Sequence, residues 1–199
     1  PRLQFMQSSV DRARRTVQSL LTFARRAPIE RKRVDLADLL EKVLAMTGSD
    51  LRIFHVTVQK DVEPELPAVW ADATQLQQVL LNLVTNAKQA LAAVDGERRL
   101  SITMRAAGPE QVRIVVEDTG PGIPADLVPR IFDPFVSTKG VHGTGLGLSI
   151  SYGIVREHGG QIRVESAAAK GTRFIIDLPV GTPVAAAAPP AAAPAQALA

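Results

Sequence analysis

The N-terminal segment repeats its apolar residues at alternating intervals of three and four. The members of the repeat are Leu3, Met6, Val10, Ala13, Val17, Leu20 and Ala24. This 3.5-residue period is typical of a helix in a coiled coil or helical bundle. Pro28 removes a backbone donor and ends the helix. Because so narrow a stripe needs a partner, we predict that residues 1–33 form an intermolecular or truncated bundle surface. The alternative is that the helix packs on the chain's own domain.

A second helix is predicted over residues 36–47. Asp35 is a good N-cap for it, and Gly48 is expected to close it. Residues 51–59 then alternate in polarity, which predicts a strand with Ile53 on its apolar side.

The longest helix of the chain is predicted to begin after Asp72 and to end near Val94. Asp72 is an N-cap residue, and Gln75 stands at the capping-box position. The apolar face comprises Leu76, Leu80, Leu83, Val84, Ala87 and Leu91.

The rest of the pattern mixes strands and helices without a regular βαβ order. It predicts strands at 100–106 and 111–117, a short helix within 118–145, a helix at 146–158, and a hairpin of 161–166 with 172–178. We therefore expect an α+β fold for residues 34–180, a two-layer sandwich of a mixed or antiparallel sheet with helices on one face. Residues 181–199 are rich in alanine and proline, which predicts a linker or disordered tail.

Composition narrows the possible classes of protein. The chain is 46% hydrophobic and 22% charged, and it has no cysteine, which excludes disulfides, thiolate metal sites and thiol nucleophiles. No apolar run approaches the roughly 20 residues that span a bilayer. We expect a cytoplasmic segment without membrane contact, in a protein that is free to carry an anchor upstream.

Charge is distributed unevenly along the chain. Residues 1–33 carry a net charge of +7 and the remainder −4. Basic residues without interleaved aromatics or a nucleic-acid-binding motif indicate a solvated helix face, so no nucleic-acid partner is expected.

The string GTGLGLSI opens the helix predicted at 146–158. It is not a P-loop, and a dinucleotide fingerprint from Gly143 and Gly145 would need a third glycine where Leu148 stands. Glycines let backbone amides approach a ligand, and a helix N-terminus favours anions. The string therefore predicts either a phosphate site or a flexible loop without a ligand.

Two polar positions on other elements add candidate chemistry. Asn82 and Asn86 are neighbours on one face of the long helix, where their oxygens suit Mg²⁺ or simply face solvent. Asp118 directly follows the strand predicted at 111–117 and is itself followed by Gly120 and Gly122. This arrangement predicts either a hydrogen-bond acceptor in a tight cleft or an ordinary turn.

Taken together, these segments resemble a known family. In order, they are QVLLNLVTNAKQA, VEDTGPGIP, FDPFVSTKGVHGTGLGLSI and GTRFIIDLP, and they extend over roughly residues 72–178. They are similar to the N, G1, F, G2 and G3 boxes of the histidine-kinase branch of the ATPase superfamily shared with gyrase, Hsp90 and the mismatch-repair ATPase. The string FDPFVSTK looks most like the class that contains nitrogen-regulation sensor kinases.

The resemblance implies a site for ATP and Mg²⁺. Asp118 matches the residue that accepts the adenine amino group, Gly120 and Gly122 lie beside the purine, and Thr172 lies near it. Asn86 matches the Mg²⁺-binding asparagine.

The resemblance also implies how the phosphates are held. Asn82 is expected to support metal, water or phosphate, and Lys139 to contact the phosphates from a lid. The turn around the triphosphate comprises Gly143, Thr144, Gly145, Leu146 and Gly147, while Phe132 and Phe135 are expected to pack the lid.

Asn82 also distinguishes branches of the superfamily. The hydrolysing relatives carry a glutamate there as the general base, and asparagine is a poor proton acceptor. We therefore expect transfer of the γ-phosphoryl to another acceptor, with a hydrolytic ATPase or a dimerising scaffold as the alternatives.

The phosphoacceptor histidine of this family lies in a motif on the first bundle helix. None of His55, His142 and His158 is in such a motif, and His55 falls in the strand predicted at 51–59. SLLTFARR resembles the second bundle helix, so the acceptor is expected upstream and no self-phosphorylation is expected. The implied partners are a response regulator receiver domain and a second copy of the chain, bound through the N-terminal helix.

Overall fold

A computed structural model of the protein describes residues 30–137 and 144–181. The predicted N-terminal helix, which ends at Pro28, and all but the first residue of the predicted tail lie outside these residues. Lys139, His142 and Gly143 also lie outside them.

One layer of the fold is a five-stranded mixed sheet. Its strands are β2 (Thr57–Val62), β4 (Arg99–Ala106), β5 (Gln111–Asp118), β6 (Gln161–Ser166) and β7 (Thr172–Pro179). Their order is β2-β4-β5-β7-β6, with β2 and β4 parallel and the other neighbours antiparallel. The last four strands agree with the sequence prediction to within one residue.

Two further strands and three helices complete the described fold. β1 (Lys32–Val34) and β3 (Val69–Ala71) form an antiparallel pair. The helices are α1 (Leu36–Ile53), α2 (Ala73–Leu91) and α3 (Gly147–Glu157), and a 3₁₀ turn covers Val128–Arg130. Of the helices, α2 contacts β4 and β5, while α3 contacts α2 and β6. The predicted α+β arrangement is confirmed.

The core lies between the sheet and the helices because strand residues alternate between two environments. On β5, Val112, Ile114 and Val116 are buried in the core, while Arg113 and Glu117 lie on the opposite face. Arg113 donates hydrogen bonds to Asp177 there, which raises the pKa of its guanidinium further above its ordinary high value.

The prediction for α1 was wrong in its C-terminal third. The helix continues through Gly48 to Ile53, and the following strand begins only at Thr57. Leu51 explains the extension: it continues the buried face of the helix and is itself fully buried. Burying such a side chain gives about 1.5–3 kcal/mol, against about 1 kcal/mol lost to a helical glycine. Ile53, expected on the apolar side of a strand, is 69% exposed.

His55 lies in the turn after α1 rather than in a strand, and its φ is 53°. The backbone N–H of His55 bonds to Arg52 O, and that of Val56 bonds to Leu51 O. This is the Schellman pattern, which ends a helix with a residue in the left-handed conformation.

The N-terminus of α2 is capped from two parts of the chain. Asp72 Oδ1 accepts hydrogen bonds from the backbone N–H groups of Thr74 and Gln75, as the sequence predicted. The reciprocal bond expected of Gln75 is absent, however, because the N–H of Asp72 donates instead to His158 Nε2 at 3.0 Å.

His158 follows α3 directly and is buried. Its Nδ1 lies 2.8 Å from the carbonyl oxygen of Ile154, which can only accept a hydrogen bond. The proton is therefore on Nδ1, and Nε2 is the acceptor for Asp72. His158 is therefore a structural residue.

Residues just before the domain contact the N-terminal end of α2 and the C-terminal end of α3. Arg31 Nη2 donates to Glu157 O at 2.6 Å, and the N–H of Glu30 donates to Asp72 Oδ2 at 3.3 Å. β1 begins at Lys32, two residues before the predicted domain boundary.

Candidate functional site

One end of the sheet carries a row of three polar side chains. Asp118 is the last residue of β5, and it pairs with Thr172, the first residue of β7. Thr172 pairs in turn with Ser166, the last residue of β6. Each of the three lies an even number of residues from the core-facing residues of its strand, so its side chain is on the same face of the sheet as the core. The register then places the three side by side under the helices.

Asp118 and Thr172 are both buried, with 6% of each exposed. Asp118 Oδ1 accepts the backbone N–H of Gly120 at 2.8 Å, which orients the carboxylate. The structure thus brings together two residues, 54 positions apart, that the sequence analysis assigned to one purine site.

Glycine is required around this carboxylate because the backbone passes very close to it. A Cβ on Gly120 would lie 2.6 Å from Asp118 Oδ1. Gly122 has a φ of 74°, and a Cβ there would lie 2.0 Å from Ala167 O. The sequence analysis did not single out Gly171, whose φ is 81° and whose Cβ would lie 2.0 Å from Asp118 O.

α2 extends from the start of α3 to the glycine that follows Asp118. Asn82 Nδ2 donates to Ser151 Oγ of α3 at 2.9 Å, and a Cβ on Gly147 would lie 2.3 Å from Asn82 Oδ1. Eight residues later on the same face, Ala90 Cβ would lie 3.0 Å from a Cβ on Gly120. At 1.5 Å per residue the helix spans about 12 Å between these contacts.

Asn86 lies midway along this span and is half-buried. It therefore stands between the carboxylate end, marked by Gly120, and the start of α3, marked by Gly147. An amide oxygen at this place suits a Mg²⁺ ion that takes its other ligands from phosphates and water. No group of three or more His, Asp or Glu side chains that could hold a metal occurs in the described part of the chain.

The turn before α3 is built for close backbone approach. Gly145 has a φ of 65°, and a Cβ there would lie 2.4 Å from the carbonyl carbon of Phe135. The N–H of Phe135 donates to Gly145 O at 3.0 Å. Leu146 is buried and anchors the turn, while Thr144 precedes it and is half-buried.

The first turn of α3 has no side-chain cap among the described residues. Its first N–H groups have no partner within the helix, as at every helix start, so they are available to an anion.

The two phenylalanines of this region differ in environment. Phe132 is half-buried and packs on Tyr152 and Phe174, with ring centroids 5.5 and 6.5 Å apart. Phe135 has a φ of 67° and is 68% exposed, so of the two only Phe132 packs on the described core, and the lid packing predicted for both stays a prediction.

Residues 71–182, more than half of the chain, match the family described as histidine kinase-, DNA gyrase B-, and HSP90-like ATPase. The chain belongs to this ATPase family. The match begins at the end of β3 and includes α2, the row of polar side chains and α3, so the candidate site is the part of the chain that carries the family likeness.

Curated relatives of this family member are sensor kinases. Sensor histidine kinase ZraS of Klebsiella oxytoca is 37% identical over 175 residues, which cover 88% of this chain and 37% of ZraS. Sensory histidine kinase/phosphatase NtrB of Rhodobacter capsulatus is 40% identical over 184 residues, covering 86% of this chain and 51% of NtrB. The chain thus spans about half of these relatives or less.

Solved structures of histidine kinases share the fold. The catalytic domain of histidine kinase ThkA is 36% identical, with a TM-score of 0.67 over 75% of this chain and 97% of that one. Full-length ShkA in complex with AMPPNP is 30% identical, with a TM-score of 0.76 over 88% and 37%. ThkA in complex with the response regulator protein TrrA is 30% identical, with a TM-score of 0.73 over 89% and 50%.

The sequence analysis missed two residues of the site besides Gly171. Ser166 contacts Thr172, and Ser151 accepts a hydrogen bond from Asn82. Both contacts exist only in the folded chain. Neither serine has a spacing or neighbour that distinguishes it from a surface residue.

In the part of the chain that the structure describes, no helix is long and apolar enough to cross a bilayer.

Proposed function

We propose that this chain is the ATP-binding catalytic part of a sensor histidine kinase. The observation that carries the proposal is the site's two-ended geometry. A buried acceptor pair, Asp118 and Thr172, lies at one end, and a glycine turn opening α3 lies at the other, with Asn86 between them. This length and polarity fit a purine nucleotide whose phosphates extend toward α3. The related ShkA structure holds the ATP analogue AMPPNP.

At the purine end, Asp118 accepts the exocyclic amino group of adenine, and Thr172 lines the same floor. Gly120 and Gly122 line the entrance for the ring, because a side chain at Gly120 would collide with the Asp118 carboxylate and one at Gly122 with the carbonyl oxygen of Ala167. Asn86 would hold Mg²⁺ by its side-chain oxygen, and the bound ion would supply positive charge to offset that of the phosphates.

At the phosphate end, Thr144, Gly145, Leu146 and Gly147 bring backbone N–H groups to the triphosphate. Asn82 supports them, because its amide is held against the start of α3 by Ser151. Lys139 and Gly143 belong to the same proposal through the resemblance alone, as a phosphate contact from the lid and the first glycine of the turn.

The proposed reaction forms a bond between the γ-phosphorus of ATP and a ring nitrogen of an acceptor histidine. The bond from that phosphorus to the β–γ bridging oxygen breaks, and ADP leaves. Asn82 cannot act as a general base for water, so the site conserves the phosphoryl group for the histidine.

None of the chain's three histidines stands in the family's acceptor motif, and the contacts of His158 oppose that role as well. Both ring nitrogens of His158 are engaged, and the ring is buried. His55 lies in an exposed turn, and His142 lies outside the described residues. We propose an acceptor outside this chain, on a first bundle helix that pairs with residues 1–33.

The proposal extends to the protein's assembly and partners. The segment before β1, which begins at Lys32, supplies the second bundle helix and dimerises, and residues 34–180 bind ATP in the cytoplasm. The phosphoryl group passes to an aspartate of a response regulator. The related ThkA forms a complex with such a regulator.

Calorimetric titration with Mg-ADP tests the nucleotide site. We expect the chain to bind it, and we expect Asp118→Asn to weaken binding at least about tenfold, because the amide presents an N–H to the adenine amino group. Asp126→Asn, at an exposed position, is the matched control and is expected to leave affinity unchanged. Equal affinities of the two variants, or no binding by the unaltered chain, would refute the site.

Two measurements separate the alternatives. Rapid ATP turnover by the isolated chain would favour a hydrolytic ATPase, and a flat titration with Mg-ADP would favour a dimerising scaffold. Acid-labile, base-stable ³²P on this chain after incubation with labelled ATP would contradict an acceptor that lies elsewhere.

A further inference from the structure

The hydroxyl of Ser166 contacts three polar groups at once. Its Oγ accepts the backbone N–H of Ile123 at 2.9 Å, lies 2.7 Å from the carbonyl oxygen of Gly171, and lies 3.0 Å from Thr172 Oγ1. A serine hydroxyl has one proton to donate and two lone pairs to accept with. Three partners therefore use its full capacity.

These contacts determine where each proton lies. A carbonyl oxygen only accepts, so the proton of Ser166 points to Gly171 O. Both lone pairs of Ser166 then accept, one from Ile123 and one from the hydroxyl of Thr172. Thr172 has only one proton and gives it to Ser166, so its oxygen presents only lone pairs to any ligand.

The neighbouring side chain has the same polarity. Thr172 pairs with Asp118 across β5 and β7, and both are buried. A carboxylate also accepts without donating. Where these two residues face the C6 substituent of a purine, the floor therefore suits an amino group and repels a carbonyl oxygen.

We propose that Ser166 is a specificity-determining residue, which fixes the hydroxyl of Thr172 as an acceptor and so favours a 6-aminopurine over a 6-oxopurine. Ser166 acts through Thr172 and is a positioning residue. The inference rests on the proposed function, which places the adenine amino group at Asp118.

The test compares Mg-ADP with Mg-IDP, whose hypoxanthine base carries an oxygen in place of the amino group on C6 and a proton on N1. We expect the unaltered chain to bind ADP at least about 100-fold more tightly, because the acceptor floor opposes that oxygen. In Ser166→Ala the proton of Thr172 is released and can donate to the oxygen. The ratio of the two dissociation constants is then expected to fall about tenfold, the effect of one hydrogen bond.

Two further variants separate this role from a structural one. Ser166→Thr keeps the hydroxyl and is expected to keep the ratio. Thr172→Val removes the hydroxyl on which Ser166 acts, so adding Ser166→Ala to it is expected to leave the ratio of Thr172→Val unchanged. If Ser166→Ala does not fold by circular dichroism, Ser166→Cys carries the same test, because a thiol is a much weaker donor and acceptor.

A purely structural Ser166 would weaken ADP and IDP by the same factor, and an unchanged ratio in Ser166→Ala overturns the inference while the nucleotide site stands. If the unaltered chain binds neither nucleotide, the proposed function and the inference fail together. A lower ratio in Ser166→Ala that also appears on the Thr172→Val background overturns the route through Thr172.

Discussion

Replacing His158 by alanine removes the acceptor that satisfies the backbone N–H of Asp72, the N-cap residue of α2. The N–H of Asp72 is part-buried and has no other partner among the described residues. The carboxylate of Asp72 accepts from Thr74 and Gln75 instead. A buried donor without a partner costs about 1–3 kcal/mol, and some water access here favours the lower half of that range. Loss of the buried ring adds about 1–2 kcal/mol, so we expect a total of about 2–4 kcal/mol.

Urea unfolding followed by the fluorescence of Trp70 measures this loss. Trp70 is the single tryptophan of the chain and lies on β3, two residues before Asp72. With a slope of about 2 kcal/mol/M, the unfolding midpoint is expected to fall by about 1–2 M.

His55→Asn is the matched control for the loss of a histidine. His55 is exposed and left-handed, and asparagine tolerates that conformation, so its stability is expected to change by less than about 0.5 kcal/mol. If the midpoint of His158→Ala falls no further than that of His55→Asn, the assignment of Nε2 as the helix cap is wrong.

Two other substitutions test the packing of the site and of α1. Gly147→Ala places a methyl group 2.3 Å from Asn82 Oδ1, so Mg-ADP affinity by calorimetry is expected to fall at least about tenfold. Gly153→Ala, with nothing within 4 Å, should leave affinity unchanged, and similar affinities for the two variants would contradict the close packing of α2 on α3. Leu51→Ala is expected to cost about 2–4 kcal/mol in urea unfolding, against less than about 0.5 kcal/mol for exposed Ile53→Ala. Equal costs would show that α1 does not continue past Gly48.

The elements of this fold were predictable where local signals and packing agree. The N-caps at Asp35 and Asp72, the four strands from β4 onward and the stop after α3 follow from short-range chemistry. The end of α1 was not predictable in this way, because the burial of Leu51 outweighs the helix-breaking tendency of Gly48.

The candidate site likewise contains residues that local sequence signals identify and contacts that only the folded chain creates. Asp118, Gly120 and Gly122 form a local motif, and the sequence identifies it. The pairing of Asp118 with Thr172 depends on the β5–β7 register, and the bond of His158 to Asp72 joins residues 86 positions apart. No periodicity in the sequence encodes such contacts.

α2 and α3 are tied to each other at two levels, by Asp72 with His158 and by Asn82 with Ser151. Two ties prevent one helix from pivoting on the other. Arg31 binds the last carbonyl of α3, and Gly147 begins the same helix about 15 Å away. A displacement of the chain at Arg31 is therefore transmitted to the glycine turn through helix α3, because no flexible loop separates the two.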